Sequence, residues 1–135
     1  MEEKCIFCKI IKGEIPSYKI YEDEYTYAFL DIASDAEGHT LVIPKKHCVN
    51  ILDCDTETLH HIYNTVQKIA NHYVKNCNYN GVNTLNANGK SAQQSVFHYH
   101  VHIIPRKDND NIDIWPLKDK LDLDMSAICN KLKIN

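Results

Sequence analysis

His98, His100 and His102 alternate within a run of β-favouring residues. Alternate positions of a strand project from one face, with neighbours roughly 6.5 to 7 Å apart. Tyr99, Val101 and Ile103 then back the sheet from the opposite side, and the histidine face is a solvated surface, a metal site or a catalytic one. A neutral imidazole is a good nucleophile near pH 7, and its phosphoryl adduct is labile enough for water to resolve. Cys5 and Cys8 have the spacing at which two thiolates chelate one zinc ion, and a structural zinc needs two further nitrogen or sulfur ligands. His47 and His98 can supply them; on spacing alone the cysteine pair could equally be a redox couple or two packed thiols. Cys48, Cys54, Cys77 and Cys129 have no metal-like spacing and are expected as ordinary thiols rather than disulfides, and His60, His61 and His72 as surface residues of a helix.

Several elements must position these groups. Ile6, Phe7, Ile10 and Ile11 recur at helical spacing and stop at Gly13, which predicts a short N-terminal helix broken by Pro16. Tyr18 to Tyr21 and Tyr25 to Leu30 flank the acidic turn Glu22-Asp23-Glu24 as a hairpin, and Leu41-Val42-Ile43 forms a third strand. Asp55 is a good N-cap for a long helix whose apolar stripe runs Leu59, Ile62, Tyr63, Val66, Ile69, Ala70, Tyr73 and Val74. Two more strands are expected at Gly81 to Leu85 and Val96 to Ile104, with a loop from Asn86 to Gln94 between them. A helical pattern through Leu117, Leu121, Leu123, Ile128 and Leu132 closes the chain. This order argues an α+β fold: one antiparallel sheet of about five strands, one long helix, a short N-terminal helix and a C-terminal helical tail. The parse is one domain over residues 1–106 with an extension, 107–135, packed on it.

The chain has 135 residues with a net charge of −3, and Arg106 is the only arginine. No basic surface is available to hold nucleic acid through its phosphates, so a phosphate-bearing ligand must be small. The N-terminus reads as no signal peptide, and no stretch approaches the roughly 18 to 20 apolar residues needed to span a bilayer, so a cytoplasmic protein with no membrane partner is expected.

Three blocks carry a resemblance: Cys5-Ile6-Phe7-Cys8-Lys9-Ile10-Ile11, Gly38-His39-Thr40 through His47, and Gln94-Ser95-Val96-Phe97-His98-Tyr99-His100-Val101-His102 through Arg106. Together they resemble the histidine triad (HIT) family, in its nucleoside phosphoramidase branch, from about Cys5 to Arg106. The resemblance implies that His100 attacks the α-phosphorus of a purine nucleoside 5′-phosphoryl compound, with a backbone carbonyl near His98 holding its far nitrogen. It implies that His102 contacts phosphate and helps protonate the leaving group, and that His39 sits by the same phosphate, although His39 also reads as a buried structural histidine. Asp31 and Ile32 would hold ribose and base, and Asn86 the sugar-phosphate. Ser95 and the backbone of Gln93, Gln94 and Ser95 would bind phosphate oxygens, Ser95 reading equally as a turn cap. Cys5, Cys8, His47 and His98 match the members with a structural zinc, one per chain, and such proteins are commonly homodimers. The expected activity is hydrolysis of AMP-amine phosphoramidates through a nucleotidyl-histidine. Dinucleoside polyphosphate hydrolysis, or a zinc-stabilised nucleotide-binding or scaffold role, are the alternatives. Between Asp31 and His39 the chain departs from the family pattern: the usual proline is absent and Glu37 adds an acid.

Overall fold

Alternation along the strands sorts the core into two layers. In the computed structural model, which describes residues 3–33, 35–115 and 118–134, the strands are β1 (Lys19–Glu22), β2 (Thr26–Leu30), β3 (Thr40–Pro44), β4 (Gly81–Leu85) and β5 (Val101–Arg106). They form one antiparallel sheet in the order β1-β2-β3-β5-β4. Ala28 and Val42 face one side with Val101 and Ile103, against Ile62, Val66, Ile69 and Tyr73 of the long helix α2 (Thr56–Asn76). Tyr27, Phe29, Leu41 and Ile43 face the other side, covered by Phe7 and Ile10 of the short helix α1 (Ile6–Ile11). Both faces of β2 and β3 are buried, and both strands are apolar apart from Thr26 and Thr40, whose hydroxyls bond Thr65 and Tyr73, whereas β1, on the sheet edge, is mostly exposed. Asp55 caps α2 by accepting from the backbone N–H of Thr58, as the sequence predicts.

Three expectations need correction. The last strand runs Val101–Arg106, not from Val96 to Ile104. Its pairing with β3 ends at Val42↔Val101, and continuing that register would set Pro44 opposite Tyr99. Proline has no N–H to donate to a ladder, and the Tyr99 N–H turns instead to the carbonyl of Cys48 (2.7 Å). The C-terminal helix, α3, spans only Met125–Leu132, where the Asp124 carboxylate caps it through the Ala127 N–H; Leu121 and Leu123 precede it, exposed and outside any helix, and Leu117 lies outside the described residues. Cys48 and Cys54, expected as thiols, are joined as a disulfide. A tight turn in which the Asp53 carboxylate accepts from the N–H groups of Val49 and Asn50 brings their Cα atoms to 5.3 Å, within the range that a disulfide spans. Among the described residues no helix is long and apolar enough to cross a membrane.

Candidate functional site

The end of β5 and the irregular segment before it bring the histidines together. His98 and His100 lie in non-strand backbone and are buried; His102 is on β5 and half-buried. The His100 Nδ1–H donates to the carbonyl of His98 (2.8 Å), the acceptor that the resemblance implies, which fixes the tautomer and leaves the lone pair on Nε2. Burial is the main influence on His100 and lowers its pKa below the ordinary histidine value, so the ring is neutral near pH 7 and available as a nucleophile. Phe7 of α1 sets its edge against both His98 (5.8 Å between ring centres) and His100 (5.3 Å). The short helix therefore shapes the site from below.

On the α1 side, four donors converge. His98 Nδ1 lies 3.4 Å from Cys5 Sγ, 3.5 Å from Cys8 Sγ and 3.1 Å from His47 Nδ1, and Cys8 Sγ lies 3.4 Å from His47 Nδ1. A tetrahedral zinc with ordinary bond lengths would separate such donors by about 3.6 Å for sulfur and nitrogen and about 3.3 Å for two nitrogens. Burial pushes His98 down to about 4, which keeps it neutral, the state in which imidazole ligates. Its Nε2–H donates to the carbonyl of Pro44 (2.8 Å), so the lone pair points at the cysteines and His47. These four residues have the chemistry and spacing to hold a metal.

On the opposite side, the base of the β2–β3 loop closes through the Asp31 N–H and the His39 carbonyl (2.8 Å). His39 is buried, with Nε2 at 2.9 Å from His102 Nδ1 and at 3.8 Å from the nearer Asp31 oxygen. Burial, followed by repulsion from His100 and His39, lowers His102 to about 4. A cleft of about 380 Å³ opens beside Leu30, Asp31 and His39, lined also by Ala36, Glu37 and Gly38. Ile32 is exposed.

The remaining candidate ligands divide. Asn86 donates from Nδ2 to the carbonyl of His100 (2.9 Å), holding the backbone there, and accepts from Asn88 at Oδ1. The buried Gln94 side chain is spent internally: Nε2 donates to the carbonyls of Val49 and Val96, and Oε1 accepts from the Gly89 N–H. The N–H groups of Gln93 and Gln94 also turn inward, to the carbonyls of Lys90 and Gly89. Gln93 and Ser95 are exposed, and Ser95 lines a pocket with Cys5, His47 and Phe97. Arg106 is engaged away from the histidines, by Asp110 at two nitrogens (2.9 Å each), Asn83 and the Ile112 carbonyl. His61 is not a plain surface residue, since it stacks on Tyr25 with ring centres 3.7 Å apart. Asp35, unnoticed in the sequence, accepts from the His39 Nδ1–H at 2.7 Å; its four-residue separation from His39 is the only signal that could have suggested it.

An antiparallel sheet that carries His102 on β5, with His98 and His100 in the segment just before it and a cleft lined by Asp31 and Glu37 beside His39, defines a small-ligand site built on imidazoles. The model of the HIT domain family matches residues 12–109. The chain is 55% identical over 104 residues to Protein hit of Bacillus subtilis (77% of this chain, 72% of that one). It is 44% identical over 121 residues to the adenosine 5′-monophosphoramidase HNT1 of Saccharomyces cerevisiae (88% and 74%). The crystal structure of a Zn-bound histidine triad family protein from Mycobacterium smegmatis matches at a TM-score of 0.79 and 38% identity, covering 86% of this chain and 84% of that one. The chain belongs to the HIT family, and its relatives support nucleotide hydrolysis as the class of activity.

Proposed function

We propose that the protein hydrolyses nucleoside 5′-phosphoramidates of the AMP-amine type, with His100 as nucleophile. The observation that carries this reading is the hydrogen bond from His100 Nδ1 to the His98 carbonyl, which presents a neutral Nε2 lone pair beside His102. Nε2 attacks the α-phosphorus, the P–N bond breaks, and the amine leaves with a proton from His102. Water then attacks the nucleotidyl-His100, gives a proton back to His102 and releases the nucleotide. Asp31, at the cleft, accepts the two vicinal ribose hydroxyls, Ile32 offers an apolar face to a purine, and Ser95 donates to the phosphate. Asn86 keeps the His100 backbone in place, and His39 supports His102. The 44% identity to an adenosine 5′-monophosphoramidase supports this substrate class.

Cys5, Cys8, His47 and His98 would hold one zinc ion, whose contribution is structural: it fastens α1 to the segment that carries His100. The donor spacing supports that reading, and the zinc-bound relative is in keeping with it. The working unit we propose is a cytoplasmic homodimer. The test is turnover of an adenosine phosphoramidate against a diadenosine polyphosphate, with trapping of the covalent nucleotidyl-protein. The expected result is preference for the phosphoramidate and loss of both turnover and adduct in His100→Asn. A large preference for the polyphosphate overturns the substrate reading, and full activity of His100→Asn overturns the nucleophile.

A further inference from the structure

We propose that Asp35 is a positioning residue that orients a proton relay through His39 to His102, and so sets the protonation of the leaving group; the inference rests on the reaction proposed above. Asp35 Oδ1 takes the Nδ1–H of His39 (2.7 Å), which commits the opposite nitrogen, Nε2, to His102 Nδ1 (2.9 Å). Two imidazole nitrogens at that distance share one proton, so the proton at His102 Nδ1 and the proton at His102 Nε2 are coupled. Among the described residues His102 Nε2 has no protein partner, and it is the nitrogen left for substrate.

The proton count closes. In the acid form His39 carries protons on both nitrogens and His102 carries one on Nε2. When the P–N bond breaks, the Nε2 proton of His102 goes to the departing amine, and His102 Nδ1 takes the proton from His39 Nε2. His39 is then neutral with its proton on Nδ1, still held by Asp35. In the second half, His102 Nε2 takes a proton from the attacking water, and the Nδ1 proton returns to His39 Nε2. Asp35 stays ionised throughout, as its hydrogen bond from His39 favours.

The relay is built into the fold. The loop carrying Asp35 is closed at its base by the Asp31–His39 pairing, and the His39 N–H donates to the Ala36 carbonyl (3.2 Å). On its outer side Glu37 accepts from Tyr79 Oη (2.6 Å) and pairs with Lys107 (3.7 Å). Gly38, at φ +80°, lets the chain pass against Pro105, where a Cβ would stand 3.0 Å from Cγ. The groups facing His39 are Asp35 from its own loop, Asp31 from the end of β2, and His102 and His100 from β5 and the segment before it. Asp35 touches only the nitrogen remote from the site, and its side chain is 59% exposed. It can therefore be changed without disturbing the core.

Asp35→Asn and Asp35→Glu test this in single turnovers with two substrates: AMP joined to an alkylamine, whose departure needs a proton, and the p-nitrophenyl ester of AMP, whose departure does not. Asparagine can turn its amide and leave His39 in either tautomer. Amine release by Asp35→Asn is expected to fall about tenfold or more, a part of what general acid catalysis supplies. The basic limb of its pH profile moves to lower pH, because a negative charge facing the protonated relay is gone. Release of p-nitrophenolate stays within a factor of about three, and Asp35→Glu recovers most of the amine rate. Equal falls for both substrates, or an unmoved pH profile, would show a merely structural residue and overturn the proposal. A wild-type protein that releases neither leaving group defeats the reaction assigned above instead. The ¹⁵N spectrum of the His39 ring still decides the relay in that event: Nδ1 stays protonated in the wild type and becomes a tautomer mixture in Asp35→Asn, and a mixture in the wild type refutes it.

Discussion

Removing metal from the Cys5, Cys8, His47 and His98 cluster should destabilise the fold and slow the chemistry together. Helix α1 has six residues, far short of the roughly 12 to 15 at which an isolated helix becomes even marginal in water. It stays in place through Phe7 and Ile10, buried against the sheet, and through the thiol groups at its N-terminal end. A ligand present at about 100 times its dissociation constant adds about 2.7 kcal/mol to a fold that alone can bind it. At roughly 4 °C per kcal/mol for a chain of this size, zinc should raise the melting temperature by about 10 °C. The assay compares thermal unfolding of zinc-loaded and chelator-treated protein, alongside Cys5→Ser and, as a control, Cys129→Ser on the exposed helix α3. The wild type and Cys129→Ser should show the zinc-dependent shift, and Cys5→Ser should lose it. Turnover should fall in parallel, because His98 also lends its carbonyl to His100. A zinc-dependent shift that persists in Cys5→Ser, or melting of the wild type that is unchanged by chelation to within about 2 °C, would refute the reasoning.

Two further outcomes follow from the geometry. Gly38→Ala places a Cβ 3.0 Å from Pro105 Cγ and 3.3 Å from Tyr79 Oη at a φ of +80°, so urea titration should show a loss of about 2 kcal/mol, and an unchanged midpoint would contradict the close approach. Burial depresses His102 from 6.5 to about 4, so between those values the unfolded chain binds the extra proton and the folded one does not. Stability should rise with pH across that window, be complete above about 6.5, and be lost as the pH falls toward about 4. After discounting for partial exposure the effect is about 2 kcal/mol, read as the difference in urea midpoints between the wild type and His102→Gln at pH 4.5 and pH 7. An identical pH dependence of the two proteins would remove His102 as its source.

Periodicity was enough for the two-layer core. The stripe from Leu59 to Val74 reports the one buried face of α2, the unbroken apolar run Tyr27-Ala28-Phe29 fits a strand buried on both faces, and the capping carboxylate of Asp55 marks where α2 begins. The CxxC and the alternate histidines were legible because their chemistry depends on residue type as much as position. What escaped depends on loop closure. Cys48 and Cys54 become partners only because Asp53 gathers the turn between them, and Asp35 reaches His39 only because the Asp31–His39 pairing closes the loop behind it. The Gln94 backbone N–H, which the resemblance places on phosphate, goes to the Gly89 carbonyl instead, and the side chain is spent inside as well. Its burial, which no local pattern reveals, commits it to the carbonyls of Val49 and Val96.

The misplaced strand boundary has a chemical meaning. Had the ladder continued past Val101, backbone pairing would compete for the His98 carbonyl, and the His100 ring would lose the acceptor that sets its tautomer. Pro44, opposite Tyr99 in the continued register, has no N–H to offer the Tyr99 carbonyl, so the ladder breaks there, and it turns its own carbonyl to the His98 ring. His98 thereby makes three separate commitments: Nδ1 toward the cysteines and His47, Nε2–H to Pro44, and its carbonyl to His100. Strict alternation on a regular strand would have set three equivalent imidazoles on one face. Ending the strand at Val101 makes them unequal, with one ring facing the cysteine pair and His47, one fixed in tautomer by the His98 carbonyl and one, on β5, paired with His39. The division of labour among the three histidines thus depends on the backbone leaving the sheet where Pro44 makes it leave.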